Sequence, residues 1–221
     1  MMWQAVFLSL QVSAVATICA LPLAIWVAHV LARKQFRGHG LLNGLVHLPL
    51  VLPPVVTGYL LLIVFGKQGA VGGFLYDWFG ITLAFRWTGA ALAAAIMGFP
   101  LMVRAIRLGF EAVDAGLEDA ARTLGASRAR VFGTVTLPLV MPAILAGAVL
   151  GFAKALGEFG ATITFVAAIP GQTQTIPSAI YGLLQVPNQE SDVIVLVSIS
   201  VALAMGALVA SEWLARRMVA R

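Results

Sequence analysis

Charge is what this chain has least of. Fourteen Lys and Arg and nine Asp and Glu make up 10% of its 221 residues, where soluble domains carry about 25%. That is too little polar surface for a soluble fold, so the sequence reads as an integral membrane protein. Cysteine occurs once, as Cys19 inside an apolar run, which excludes a disulfide framework or a cysteine metal site within one chain. The three histidines, His29, His39 and His47, lack metal-ligand spacing, and no nucleophile with a matching base is evident. An enzymatic reading therefore has little to rest on. A phosphate loop is also missing: Gly66-Lys67 is followed by Gln68 and has no upstream glycine at Walker spacing. Any ATP chemistry must come from a partner. Met1 to Leu8 holds no Lys or Arg, which does not suit a signal peptide, and there is no internal repeat, low-complexity tract or linker.

Apolar sequence fills the space. Hydrophobic residues are 61% of the chain and the mean hydropathy is +0.97, well above soluble usage of about 45–50%. The length suits one domain, placed at 5–215. The reading is all-α: a polytopic membrane helical bundle with spans at about 5–32, 41–65, 87–103, 136–164 and 193–214. Pro22 predicts a kink in the first span and His29 an interfacial, structural role. A polar and aromatic loop follows from Gly66 to Trp87, and a loop with a short interfacial segment near Ile176 to Leu184 separates the last two spans. The net charge of +5 does not indicate nucleic acid, because the basic residues fall in short loops. Arg33, Lys34 and Arg37, then Arg104 and Arg107, then Arg216, Arg217 and Arg221 follow spans one, three and five. No Lys or Arg lies between Ala168 and Asp192. The positive-inside rule then predicts an outer N-terminus and a cytoplasmic C-terminus, with Lys67 and Arg86 the dissenting residues.

One long segment is both charged and patterned, EDAARTLGASRARVFGTVTLP from Glu118 to Pro138. With its lead-in it makes a cytoplasmic loop at 114–134. Asp114 can cap a first short helix, Gly125 can end it with a positive φ, and Ser127 can cap a second. Pro138 marks the start of the next apolar run. The segment reads either as a plain surface loop or as a docking element. In the docking reading the small Ala120, Ala121 and Gly125 let a partner surface approach, and Glu118 and Arg122 frame the patch as an i,i+4 pair.

Two spans carry polar or irregular features at depth. Pro49, Pro53 and Pro54 interrupt the second span, and irregular backbone is tolerated there only beneath protein or beside a watery cavity. Pro53, Pro54 and Thr57 are therefore candidates for lining a path, with a kinked packing helix as the equal alternative. In the fourth span, Lys154 and Glu158 form the only charge pair inside an apolar run. Each would cost about 2.5–3.5 kcal/mol at a bilayer centre, so they are expected to meet each other, protein or water. They read as a structural salt bridge or as part of a gate. Five helices are few to enclose a hydrophilic path, so two copies about a two-fold axis are expected.

The central segment resembles the conserved cytoplasmic loop of bacterial ABC importer permeases, a Glu-Ala-Ala triplet, then Gly, then Leu-Pro. Here it stands as Glu118, Ala120, Ala121, Leu124, Gly125 and Leu137-Pro138, with Asp119 in place of the first Ala. HLPLVLPPVVTGYLLL from His47, LYDWFGIT from Leu75, FPLMVRAIRL from Phe99, LGEFGATITFV from Leu156 and TIPSAIY from Thr175 extend the likeness over nearly the whole chain. The chain is similar to molybdate ABC importer permeases, with sulfate permeases as relatives. The resemblance implies a type I importer transmembrane domain in the inner membrane and a coupling role for Glu118, Ala120, Ala121, Arg122, Leu124, Gly125 and Pro138. It implies two ATP-binding subunits that use ATP and Mg, a periplasmic molybdate-binding protein, a second copy of the chain and surrounding lipid, with no cofactor held by the chain itself. For the anion, Thr57, Thr162 and Thr164 are candidate wall groups. Sulfate or tungstate import, or ATP-independent secondary transport, are the alternatives.

Overall fold

The computed structural model describes residues 2–219, without the side chains of 211 and 214–219. Its core is three long helices. The first, α1 (Met2–Arg33), buries a stripe of small residues, Ala5, Ser9, Val12, Ser13, Ala16, Ala20, Ala24 and Ala28. A spacing of three to four residues puts these on one face, and small side chains let helices close up in lipid. That face meets α5 (Trp87–Ala112), whose Ala90, Ala91, Ala93 and Ala94 are buried in return. α5 also packs on α8 (Leu137–Leu156). There Gly147 and Gly151 sit so near Ile106 and Met102 that an added Cβ would lie 2.9 and 2.6 Å from them.

Between α1 and α5 the chain forms α2 (His39–Val51), α3 (Pro54–Phe65) and α4 (Ala70–Phe79). The expected second span is thus two helices, bent by 114°. Pro53 and Pro54 supply no N–H to bridge from one to the other. α4 was not expected; it ends at Gly80, in the left-handed conformation. The third span runs to Ala112 rather than to 103, carrying Arg104 and Arg107 as helix residues instead of loop residues.

After α5 come α6 (Ala115–Thr123) and α7 (Arg128–Val131). The caps are those expected. The Asp114 side chain accepts from Gly116 N at 2.8 Å, Gly125 has φ +86°, and Ser127 Oγ accepts from Arg130 N at 3.4 Å. α7, however, does not stop before the next apolar run. It passes through a π turn, Phe132–Thr136, where Leu137 N–H bonds to Phe132 O, straight into α8. In a regular helix the Pro138 ring would collide with the Thr134 carbonyl, and the wider turn makes room. The fourth span is itself broken: α8 ends at Leu156 and α9 (Gly160–Val166) follows the kink at 157–159. α10 (Ile176–Leu183) is a short helix where the interfacial segment was expected, and α11 (Glu190–Val219) is longer at both ends than expected.

No strand occurs among the described residues. Among the described residues four helices are long and apolar enough to cross a membrane, and the count is five if the bent α2–α3 pair is taken as one span. The second halves of the two broken spans, α3 and α9, pack on each other. α10 lies against the start of α1 and of α11 through Ala5, Val6, Ile176, Ala179 and Leu196. The start of α11 is thereby placed at the N-terminal end of α1.

Candidate functional site

The patterned loop divides into an inward and an outward face. Inward lies Glu118, whose side chain is 13% exposed. Its Oε1 accepts from Arg33 Nη2 at 3.2 Å and from the Thr136 hydroxyl at 2.7 Å, and its Oε2 lies 3.6 Å from Arg122 Nη2. Arg33 also donates to Val113 O at 3.3 Å. One carboxylate therefore ties α6 to the last turn of α1 and to the π turn before α8. The expected i,i+4 pair of Glu118 with Arg122 is present, but Glu118 itself also turns inward to Arg33 and Thr136, while the more exposed Arg122 pairs with Asp119 at 3.0 Å. Beneath this hub, the His29 ring stands edge-on to Phe110 and Phe132 at 5.0 and 5.4 Å, so α1, α5 and the π turn converge there.

Outward, α6 presents Leu117, Ala120, Ala121 and Leu124 at i, i+3, i+4 and i+7. Leu124 is 88% exposed and Leu117 51%. The leucines at this spacing, bordered by Asp119 and Arg122, make an exposed apolar stripe, the pattern of amphipathic helices that dock in grooves. Leu117, Arg33 and Thr136 were not among the candidates from the sequence. The spacing from Leu124 back to Leu117 could have shown the first; the other two lie 85 and 18 residues from Glu118, beyond any local pattern.

The path candidates gather around the α3–α9 contact. A Cβ on Gly160 would lie 2.7 Å from Pro54 Cβ, and one on Gly58 would lie 2.5 Å from Ala161 O and 2.9 Å from Thr164 Cβ. Pro53 and Pro54 are exposed at the bend. Thr57 Oγ1 is buried without a hydrogen-bond partner. Thr162 donates to Phe159 O at 2.8 Å and Thr164 to Gly160 O at 2.9 Å, so both hydroxyl hydrogens are held by the backbone of their own helix. Lys154 and Glu158 do meet: Nζ lies 2.6 Å from Oε2, while Oε1 accepts from Ala161 N at 3.0 Å. The carboxylate is 1% exposed and the Lys side chain 29%. The pair spans the kink between α8 and α9 and caps the first turn of α9.

Residues 20–220 match the family model for the binding-protein-dependent transport system inner membrane component. The chain is 63% identical to the molybdenum transport system permease protein ModB of Escherichia coli (strain K12), over 97% of this chain and 93% of that protein. It is 39% identical to the sulfate transport system permease protein CysW of Synechococcus elongatus, over 68% of this chain and 52% of that protein. Among solved structures, a bacterial alginate ABC transporter in complex with an alginate pentasaccharide-bound periplasmic protein superposes with a TM-score of 0.74 at 17% identity, over 97% of this chain and 78% of that one. That last likeness concerns the fold alone.

Proposed function

We propose that this chain, which belongs to the family of binding-protein-dependent transport system inner membrane components, is the permease subunit through which an ATP-driven ABC importer carries molybdate across the inner membrane. The observation that carries this reading is the 63% identity over 97% of the chain to a molybdenum permease, with sulfate permeases more distant. Two copies form the path, two ATP-binding subunits drive it, and a periplasmic protein delivers the anion. The N-terminus lies outside and the C-terminus inside. The hub at Glu118 supports that orientation, since it puts the basic end of α1 beside α6, at the end of α5 that carries Arg104 and Arg107.

The mechanism follows from how α6 is held. Its outward leucine face sits in a groove of the ATP-binding subunit. When the two ATP-binding subunits close on ATP, they draw the paired α6 helices together. The Glu118 carboxylate passes that displacement to α1 through Arg33 and to α8 through Thr136, and α7, the π turn and α8 move as one continuous rod. Rigid-body rocking of this kind alternates access to the path. The two broken spans, joined at the α3–α9 contact, supply the irregular backbone that a path tolerates.

The test is molybdenum accumulation at limiting external molybdate in cells lacking the gene and in the same cells complemented, with sulfate or tungstate in excess. Uptake that requires the gene and resists sulfate is expected. Uptake indifferent to the gene removes the substrate from the reading.

A further inference from the structure

On one side of α2 lies an apolar groove lined by Leu42, Leu45, Val46 and Pro49 against α1 and α5. On the other side lies a furrow of about 260 Å³ lined by Asn43 and His47 of α2 and by Arg104, Arg107, Leu108 and Glu111 of α5. The two faces of one helix thus differ in kind. Inside the furrow, Arg107 Nε donates to Glu111 Oε1 at 2.6 Å and Nη1 to Asn43 Oδ1 at 3.1 Å. His47 Nδ1 donates to Asn43 O at 2.8 Å, since a carbonyl only accepts. Asn43 Nδ2 and Arg107 Nη2 keep N–H groups to give. Arg104 is exposed and has no ion-pair partner among the described residues.

We propose that Arg104, Arg107 and the Asn43 amide form a weak site for a tetrahedral oxyanion at the inner mouth of the path, where the anion pauses before release. This rests on the functional reading above. Three donors on two helices can each meet a different oxygen, and guanidinium is the group best matched to an oxyanion. Glu111 cancels one positive charge, leaving the site a net charge near +1 for a dianion. Weakness suits a transit site, because conduction requires binding that also lets go. Arg104 lies eight residues before the end of α5, roughly 12 Å at the rise of a helix, so the furrow opens close above the loop that holds α6.

The experiment uses the full importer in nanodiscs, with the lone cysteine removed by Cys19→Ser and Leu108→Cys placed at the furrow rim, where Leu108 is 61% exposed. The rate of alkylation of that thiol is measured in molybdate, and in chloride at equal ionic strength. Molybdate is expected to slow labelling, and Arg104→Gln to raise the concentration needed by about tenfold or more, as for loss of a charge-assisted hydrogen bond. Equilibrium dialysis of molybdate against the importer with native Leu108, with and without Arg104→Gln, gives a second reading should Leu108→Cys assemble poorly. It is expected to lose one bound anion per permease chain. Labelling indifferent to molybdate, protection that survives Arg104→Gln, or slowing by phosphatidylglycerol in the nanodisc and not by molybdate would each overturn the site. ATP-driven molybdate uptake by the same unsubstituted importer, reconstituted in sealed vesicles, is measured alongside. Its absence sinks the functional reading, whereas uptake with unaltered labelling sinks the site alone.

Discussion

Replacing Glu158 by alanine removes the one carboxylate that spans the kink between α8 and α9. Two losses follow. Lys154 loses its partner at 2.6 Å, and breaking a buried pair typically costs about 3–5 kcal/mol. Lys154 is 29% exposed, so its ammonium recovers some hydration and the lower end applies. Ala161 N–H, at 3.0 Å from Oε1, is left without an acceptor, at about 1–3 kcal/mol. Together these predict about 4 kcal/mol of destabilisation for Glu158→Ala. Glu158→Gln keeps the volume and one acceptor oxygen and should cost about half as much. Adding Lys154→Met to Glu158→Gln removes the stranded ammonium, and replacing both members of a buried pair is often close to neutral. Equilibrium unfolding of the purified chain in mixed micelles should therefore rank Glu158→Ala lowest, then Glu158→Gln, with the double variant near the unsubstituted protein. Three variants within about 0.5 kcal/mol of one another, or a double variant no better than Glu158→Gln, would refute the reasoning.

Other substitutions separate the remaining parts. Gly58→Val puts a branched side chain where a Cβ lies 2.5 Å from Ala161 O; it should cost about 1–3 kcal/mol by overpacking and lower the thermal midpoint, and an unchanged midpoint would show that α3 and α9 do not press together. Glu118→Gln weakens the bonds to Arg33 and Thr136, so ATP hydrolysis by the assembled importer should persist while anion moved per ATP falls; equal losses in both would point to misassembly rather than uncoupling. A Cβ on Gly125 would meet no atom within 4 Å, so the cost of Gly125→Val, about 1–2 kcal/mol, comes chiefly from the positive φ. It should tilt α6 against α7 and reduce coupled uptake, and full uptake would count against α6 as the driven element.

Local chemistry was legible from the chain, and long-range geometry was not. Asp114, Gly125 and Ser127 end and begin helices for reasons contained within three or four residues, so the two-helix form of the loop could be read directly. Lys154 and Glu158 are one helical turn apart, which made their pairing readable too. The inward turn of Glu118 could not be read, because it depends on Arg33 approaching from the end of another helix. Hydropathy located the long apolar segments but not their internal breaks. The break at Leu52 to Pro54 is marked in the sequence by prolines that lack N–H groups, whereas Gly157 to Phe159 carries no proline and its bend goes with the packing of α9 on α3. The end of α5 is not legible from charge, because Arg104 and Arg107 stay on the helix, whose long cationic side chains line a polar furrow. The π turn answers a clash between Pro138 and a carbonyl four residues back, which hydropathy does not register.

The most direct measurement is molybdate uptake into sealed vesicles containing this chain and its ATP-binding subunits, with the binding protein outside and ATP inside. Molybdate should accumulate only when ATP, the binding protein and this chain are all present, and excess sulfate should leave the rate largely unchanged. Accumulation without ATP, or transport of sulfate in preference to molybdate, would contradict the account.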